Sequence, residues 1–180
     1  LYATFPDNNS VFNSEWFFSI TKERWPGEKI GWYIIWYDPA KRTDIWAVEV
    51  GEYRISASGE TYLQIIEEHS LRGEYTQQKE ILSSIKQRYM DAWYWAPVYV
   101  VIDATQVWDV VAEMFWDIVN YKVWYTSKGK RPTIDAYGAW KVPKNHLVHL
   151  SQILMEKWMM RWWVGLKELI EELRNFKAID

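Results

Sequence analysis

Two apolar runs in this chain end on an acid: "GWYIIWYD" closes at Asp38 and "VYVVID" at Asp103. A carboxylate at the end of a strand is commonly a turn or helix-cap residue. Two of them side by side would do something else, because like charges a few ångströms apart repel unless a cation lies between them. Oxygen-only ligands suit Mg²⁺ or Mn²⁺ rather than zinc. A pair of such ions can activate water and stabilise a leaving oxygen in phosphodiester hydrolysis. Asp38 and Asp103 are therefore the metal and catalytic candidates, provided that the fold brings their strand ends together. His146 and His149 share a helical face at i, i+3 spacing. Without a third convergent ligand they read as surface or half-buried residues rather than a zinc site.

The elements that must position those acids follow from periodicity. "GWYIIWYD" (31–38), "IWAVEVGEY" (45–53) and "RISASGETYLQIIEE" (54–68) are strand-like and joined by short links, which predicts a meander. "QQKEILSSIKQRYMDAW" places Ile81, Leu82, Ile85, Tyr89 and Trp93 on one stripe, which predicts a crossover helix. The strand "VYVVID", the helix "VWDVVAEMFWDIV" and the strand "YKVWYT" then run in β-α-β order, which implies parallel pairing. Apolar residues at 147, 150, 154 and 158 and at 166, 169, 170 and 173 predict two final helices, with "MMRWW" between them. Residues 1–29 have no clear period and read as a lead-in arm; residues 30–180 read as the domain itself.

Composition bounds the classes. The 180 residues, 49% hydrophobic and 25% charged, fit one globular unit with a real core. Cysteine is absent, which excludes disulfides and thiolate metal sites. No apolar run approaches the roughly 20 residues that span a bilayer, so no membrane role and no secretion are expected. The first residue is Leu1 and no signal-peptide pattern follows, so the chain reads as a piece of a longer polypeptide. The net charge of −3 argues against a uniformly basic coat but leaves room for a local patch. Such a patch exists between Lys122 and Lys144, where six basic residues stand against the single acid Asp135. Within it "TSKGKRP" reads as a flexible loop after the fifth strand, and Lys128, Lys130 and Arg131 are DNA-backbone candidates. A solvated charge run is the other reading. Lys41 and Arg42 could add a phosphate clamp or could balance Asp44.

Three strands, a helix, a strand, a helix and a strand is the element order of the ribonuclease H-like α/β fold. In it a mixed sheet, three antiparallel strands then two parallel ones, is flanked by helices, and the first and fourth strands lie together at its centre. The chain also resembles, over nearly its whole length, the nuclease domain of a tailed-phage large terminase subunit. "IIWYDPAKRTDIWAVEV" is similar to the family's first two strands, where a strand ends in Asp-Pro-Ala and a second Asp follows shortly. "VVIDATQVWDVVAEMF" resembles the pattern in which Asp-Ala-Thr-Gly-Val-Gly closes the fourth strand and opens a helix. "HSLRGEYTQQKEIL" is similar to the approach to the first helix, "LKELIEELRNFK" to the last helical stretch, and "YATFPDNNSVF" to the lead-in from an ATPase domain.

That resemblance implies a metal-dependent endonuclease that cuts concatemeric viral double-stranded DNA during packaging, with Asp38 and Asp103 matching the first two catalytic acids and two Mg²⁺ or Mn²⁺ ions as cofactors. It further implies an ATPase domain in the same parent chain, the portal and the small terminase subunit as partners, and the cytoplasm of an infected bacterium as location. The family's third acid lies near the domain's C-terminal end, beyond the segment like "ELRNF". Asp180 is a possible stand-in, and the alternative is that the domain is truncated here before that acid. No G-x-x-x-x-G-K-[ST] occurs, so ATP binding is not expected of this chain. Two departures in function stay open: a catalytically impaired DNA-binding or motor-docking module on the same fold, and an aromatic-rich protein-interaction domain. Burial of Trp95, Trp162 and Trp163 separates the latter.

Fourteen tryptophans are the compositional anomaly. Where the family has glycine, this chain carries Trp36, Gln106 with Trp108, and Trp158. An indole at 36, two residues from Asp38 on one sheet face, would crowd a metal site. The rings read either as packing residues or as glycine codons, UGA, translated as tryptophan.

Overall fold

The computed structural model of the 180-residue chain describes residues 12, 18–41, 43–92, 95–105, 107 and 109–176. Its strands in chain order are β1 (Phe18–Ser19), β2 (Lys29–Asp38), β3 (Trp46–Ile55), β4 (Thr61–Leu71), β5 (Val98–Asp103), β6 (Tyr121–Thr126), β7 (Thr133–Ile134), β8 (Trp140–Pro143) and β9 (Met160–Trp163). Among the described residues four helices interleave with them: α1 (Tyr75–Met90), α2 (Asp109–Met114), α3 (Lys144–Glu156) and α4 (Lys167–Asn175). All nine strands join one mixed sheet in the order β1-β9-β4-β3-β2-β5-β6-β8-β7. The centre is the expected one. β2, β3 and β4 form an antiparallel meander, and β5 and then β6 add to β2 in parallel.

Alternation along the strands makes this sheet two-sided. In β3, Trp46, Val48 and Val50 are buried on one face, with Ala47 and Glu49 pointing to the other. The first face packs Ile35, Tyr37, Val100 and Ile102 against Leu82 and Ile85 of α1 and against Phe115. On the second face Ile65 meets Met155 of α3, Trp162 of β9, and Leu166 and Leu169 at the start of α4. Adjacent Ile65 and Ile66 enter opposite cores, the period of two expressed in one dipeptide.

Several boundaries differ from the sequence reading. "RISASGETYLQIIEE" is not one strand: Arg54 and Ile55 finish β3, and a turn follows, closed by Ser56 N–H to Glu60 O at 2.8 Å and Gly59 N–H to Ser56 O at 3.0 Å. Gly59 sits there at φ 88°, a left-handed value that costs glycine nothing. The helix expected over 107–119 is regular only from Asp109 to Met114. Beyond it the chain continues in turns through Phe115 and Trp116, aromatic residues that lose side-chain freedom in a helix. α1 starts at Tyr75, two residues earlier than expected, behind a capping box between Glu74 and Gln77. "MMRWW" supplies β9, and the basic segment contains β7 and β8 after its loop. Within the arm, Phe18 and Ser19 form β1 and pair in parallel with β9. Buried Arg54 fixes the next stretch by donating to the carbonyls of Lys22 and Glu23.

One buried side chain ties the end of β2 to the rest. Gln78 on α1 accepts the Tyr37 hydroxyl at 2.6 Å and donates its amide to Ala40 O at 2.7 Å and Gly73 O at 2.8 Å. The turn just past Asp38 and the approach to α1 are thus held by one amide. Burial, aided by the neighbouring Tyr75 and Asp38, pushes the Tyr37 hydroxyl up, which keeps it a donor. Tyr37→Phe leaves the Gln78 oxygen buried without its partner and is expected to lower stability by about 1–3 kcal/mol in urea titration. An unchanged midpoint would show that the amide does not clamp this turn.

Candidate functional site

Asp38 and Asp103 meet because β2 and β5 are parallel and in register. Tyr37 pairs with Ile102, so the next residue on each strand is the acid, and both stand at the same sheet edge. Their side chains belong to the face opposite Tyr37 and Ile102, and both line a cavity of about 420 Å³ on that face. Asp103 is held at its base: its Oδ1 accepts the Thr105 N–H at 2.9 Å, and the Thr105 hydroxyl accepts the Tyr125 N–H at 2.8 Å. Asp38 reaches solvent at the cleft mouth. The walls still strip enough water from it to raise its carboxyl to about 6, and the charge of Asp103 adds to this rise.

Sequence reasoning missed three further residues. Register pairs Trp36 with Glu49 and Glu49 with Glu68, so an acid of β3 faces the cleft beside Asp38. Burial raises the Glu49 carboxyl to about 7, with Glu68, Glu172 and Asp38 as the contributing charges. Glu172 of α4 lines the same cavity, although its segment reads in the sequence as a solvated helix face. α4 is docked there by Glu68, whose Oε2 accepts the Leu169 N–H at 3.2 Å. Tyr125 of β6 completes the wall, its hydroxyl pushed up to about 12 by burial and then by Asp103, Asp38 and Glu49. The signal for Glu49 was present: it stands two residues from Ala47, the strand partner of Asp38, and so shares its face.

The remaining candidates are distributed as follows. Trp36 lines the cavity, but its ring leans over Gly51, where a Cβ would sit 3.1 Å from Cζ3. Gly51 is the strand partner of Ile34, so the ring extends away from the Asp38 end of β2. Lys41 follows Asp38 at the acid edge and is exposed. β6, parallel to β5, ends at the same edge, and the loop leaving it exposes Lys128, Lys130 and Arg131. Arg42, Asp180, Gln106 and Trp108 lie outside the described residues. Trp162 is buried, Trp163 half-buried and Trp95 exposed, so the aromatics divide between core and surface.

Among the described residues no three His, Cys, Asp or Glu side chains converge as a metal-binding group. The donors available at the matched strand ends are two carboxylates. That set fits Mg²⁺, which is commonly held by one or two carboxylates together with waters and substrate phosphates. Among the described residues no helix is long and apolar enough to cross a membrane.

The raised carboxyls set a pH dependence. In the unfolded chain Asp38 and Glu49 ionise near their ordinary 3.8 and 4.5, and in the folded chain near about 6 and about 7. The folded state holds these protons longer, so the stability they contribute is complete below about pH 4 and is lost as pH rises through 6 and 7. Over that window the wild type is expected to lose stability relative to Asp38→Asn with Glu49→Gln in urea titrations, and added Mn²⁺ to recover part of it. Parallel pH profiles for the two proteins would refute the crowding of charge in this cleft.

No protein-family model and no curated protein sequence matches the chain. Among solved structures it is similar to the nuclease domain of the bacteriophage P22 large terminase, with 12% identity over 94% of this chain and 79% of that one and a TM-score of 0.58. The human cytomegalovirus terminase nuclease domain, solved after a Mn soak and with an inhibitor bound, gives 8% identity over 87% and 78% and a TM-score of 0.43. The ribonuclease H-like architecture expected from the element order is therefore the one present, and the chain has the fold of the P22 large terminase nuclease domain.

Proposed function

We propose that the chain is a metal-dependent DNA endonuclease that cuts concatemeric viral DNA during genome packaging. The observation that carries this reading is the pair Asp38 and Asp103, next to each other at the ends of parallel β2 and β5 in one cleft. The P22 likeness in fold supports the reaction class, as does the resemblance of "VVIDATQVWDVVAEMF" to the terminase strand and helix. By that resemblance the chain works with an ATPase domain, the portal and the small subunit in the infected bacterial cytoplasm.

Asp38 and Asp103 would hold Mg²⁺ or Mn²⁺, with Glu49 and Glu172 as the further carboxylates of the cleft and Asp180 a candidate beyond the described residues. Bound divalent ions make water acidic enough to attack at neutral pH and offset charge on the phosphate. The chain's own groups do the rest. The Thr105 N–H fixes the orientation of Asp103. Glu49, raised to about 7, exchanges a proton near neutrality and suits general-base work. Tyr125 stays protonated there and can donate to a phosphate oxygen. Lys128, Lys130, Arg131, Lys41 and, by sequence, Arg42 supply phosphate contacts along the acid edge.

With Mn²⁺, the protein is expected to nick or cut plasmid DNA, and Asp38→Asn or Asp103→Asn to slow cleavage about 10²–10³-fold, since each removes several kcal/mol of metal-dependent stabilisation. Undiminished cleavage by both variants would assign the activity elsewhere. Replacing Lys128, Lys130 and Arg131 by alanine is expected to flatten the slope of log affinity against log salt by about 2–3 for duplex DNA, measured in Ca²⁺. An unaltered slope would make that loop a solvated one. That no three ligand-type side chains converge among the described residues favours a second reading, a DNA-binding or motor-docking module without cleavage. DNA binding in Ca²⁺ with no cutting in Mn²⁺ selects it. The exposed rings of Trp25, Trp95, Trp116 and Tyr137 are the feature that favours a protein-interaction surface.

A further inference from the structure

Left-handed backbone is the territory of glycine, and a bulky residue there is an outlier that needs a cause. Among the described residues two non-glycine positions adopt it, and both are tryptophan: Trp95 at φ 51° and Trp158 at φ 59°. Trp158 occupies a specific glycine position. Lys157 caps α3, the Trp158 N–H donates to Met155 O at 3.1 Å, and the Met159 N–H donates to Leu154 O at 2.8 Å. Those two bonds make a Schellman motif whose left-handed residue is usually glycine.

Neither indole belongs to either core cluster. Trp95 is 95% exposed and Trp158 44%. The Arg161 guanidinium lies 5.7 Å from the Trp158 ring, at the outer limit of a cation–π contact, and stacks closer on Tyr62 at 3.8 Å. What Arg161 does take from Trp158 is its backbone carbonyl, at 2.9 Å, which any residue would offer. The chain as a whole carries fourteen tryptophans but only eight glycines, where the average glycine usage of about 7% would give roughly 12 or 13. A surplus of one residue and a deficit of the other point the same way as the backbone.

We propose that positions 95 and 158 are glycine in the polypeptide made in the source cell, specified by UGA codons that the cell reads as glycine and that appear as tryptophan under a different reading. The consequence is a restriction on where the protein can be made. A cell that treats UGA as a stop ends the chain no later than position 95, before β5 and Asp103, so it cannot assemble the acid cleft.

The test reads codons 95 and 158 in the gene and sequences by mass spectrometry the corresponding peptides of the protein from the source cell. UGA with glycine in the peptides is the expected result; UGG at both codons, or tryptophan in the peptides, overturns the proposal. A second arm uses the chain with tryptophan as written. Trp95→Gly and Trp158→Gly are each expected to raise the thermal midpoint by about 2–4 °C over the alanine variant at the same position, because alanine keeps the Cβ that left-handed backbone disfavours. Glycine variants that melt no higher than the alanine ones at both positions would remove the conformational ground for the proposal.

Discussion

The parallel pairing of β2 with β5 is the constraint on which the rest of this structure depends. One register, Tyr37 opposite Ile102, decides that two acids sixty-five positions apart in sequence share an edge and a face. A slip of one residue in either strand would turn its acid into the core packed under α1. The surrounding elements guard against that slip. Ile35, Val100 and Ile102 are fully buried on the opposite face, so a shifted strand would expose apolar side chains and bury polar ones. Gln78 then fixes the chain immediately past Asp38, where a strand end would otherwise fray.

Around that edge the protein keeps carboxylates close together. Burial raises the carboxyls of Asp38, Glu49 and Glu68, and neighbouring charges add to it: Asp103 at Asp38, and Glu68, Glu172 and Asp38 at Glu49. Glu68, the strand partner of Glu49, is partly relieved by the backbone N–H of Leu169 at the start of α4, so the acid that raises Glu49 also anchors the helix that lines the cleft. Crowding of this kind gives up stability, a trade-off expected of functional sites.

The sequence makes some of this legible and hides the rest for physical reasons. Asp38 and Asp103 stand out because each ends an uninterrupted apolar run, a local signal that needs no partner strand. Glu49 and Tyr125 belong to the site only through register, which a one-dimensional pattern carries weakly. Glu172 lies on a strongly amphipathic helix whose polar side reads as solvated until the helix is docked on the cleft. β7, β8 and β9 are two, four and four residues long, too short for alternation to register. The left-handed backbone at Trp95 could not be read, since the residue type argues against the conformation it adopts, whereas at Trp158 the resemblance to a glycine position hinted at it.

The order of the central strands also shapes how the chain comes to be folded. β2 is complete at Asp38, but its parallel neighbour begins only at Val98, so sixty residues of synthesis, roughly 3–12 s at about 5–20 residues per second, separate them. During that interval β2 is an open edge carrying Tyr33, Ile35 and Tyr37, a surface able to pair with any extended chain nearby. Pairing so distant in sequence is also intrinsically slow to form. A sheet whose middle is finished so late leaves that edge open to aggregation for as long as the chain is being made.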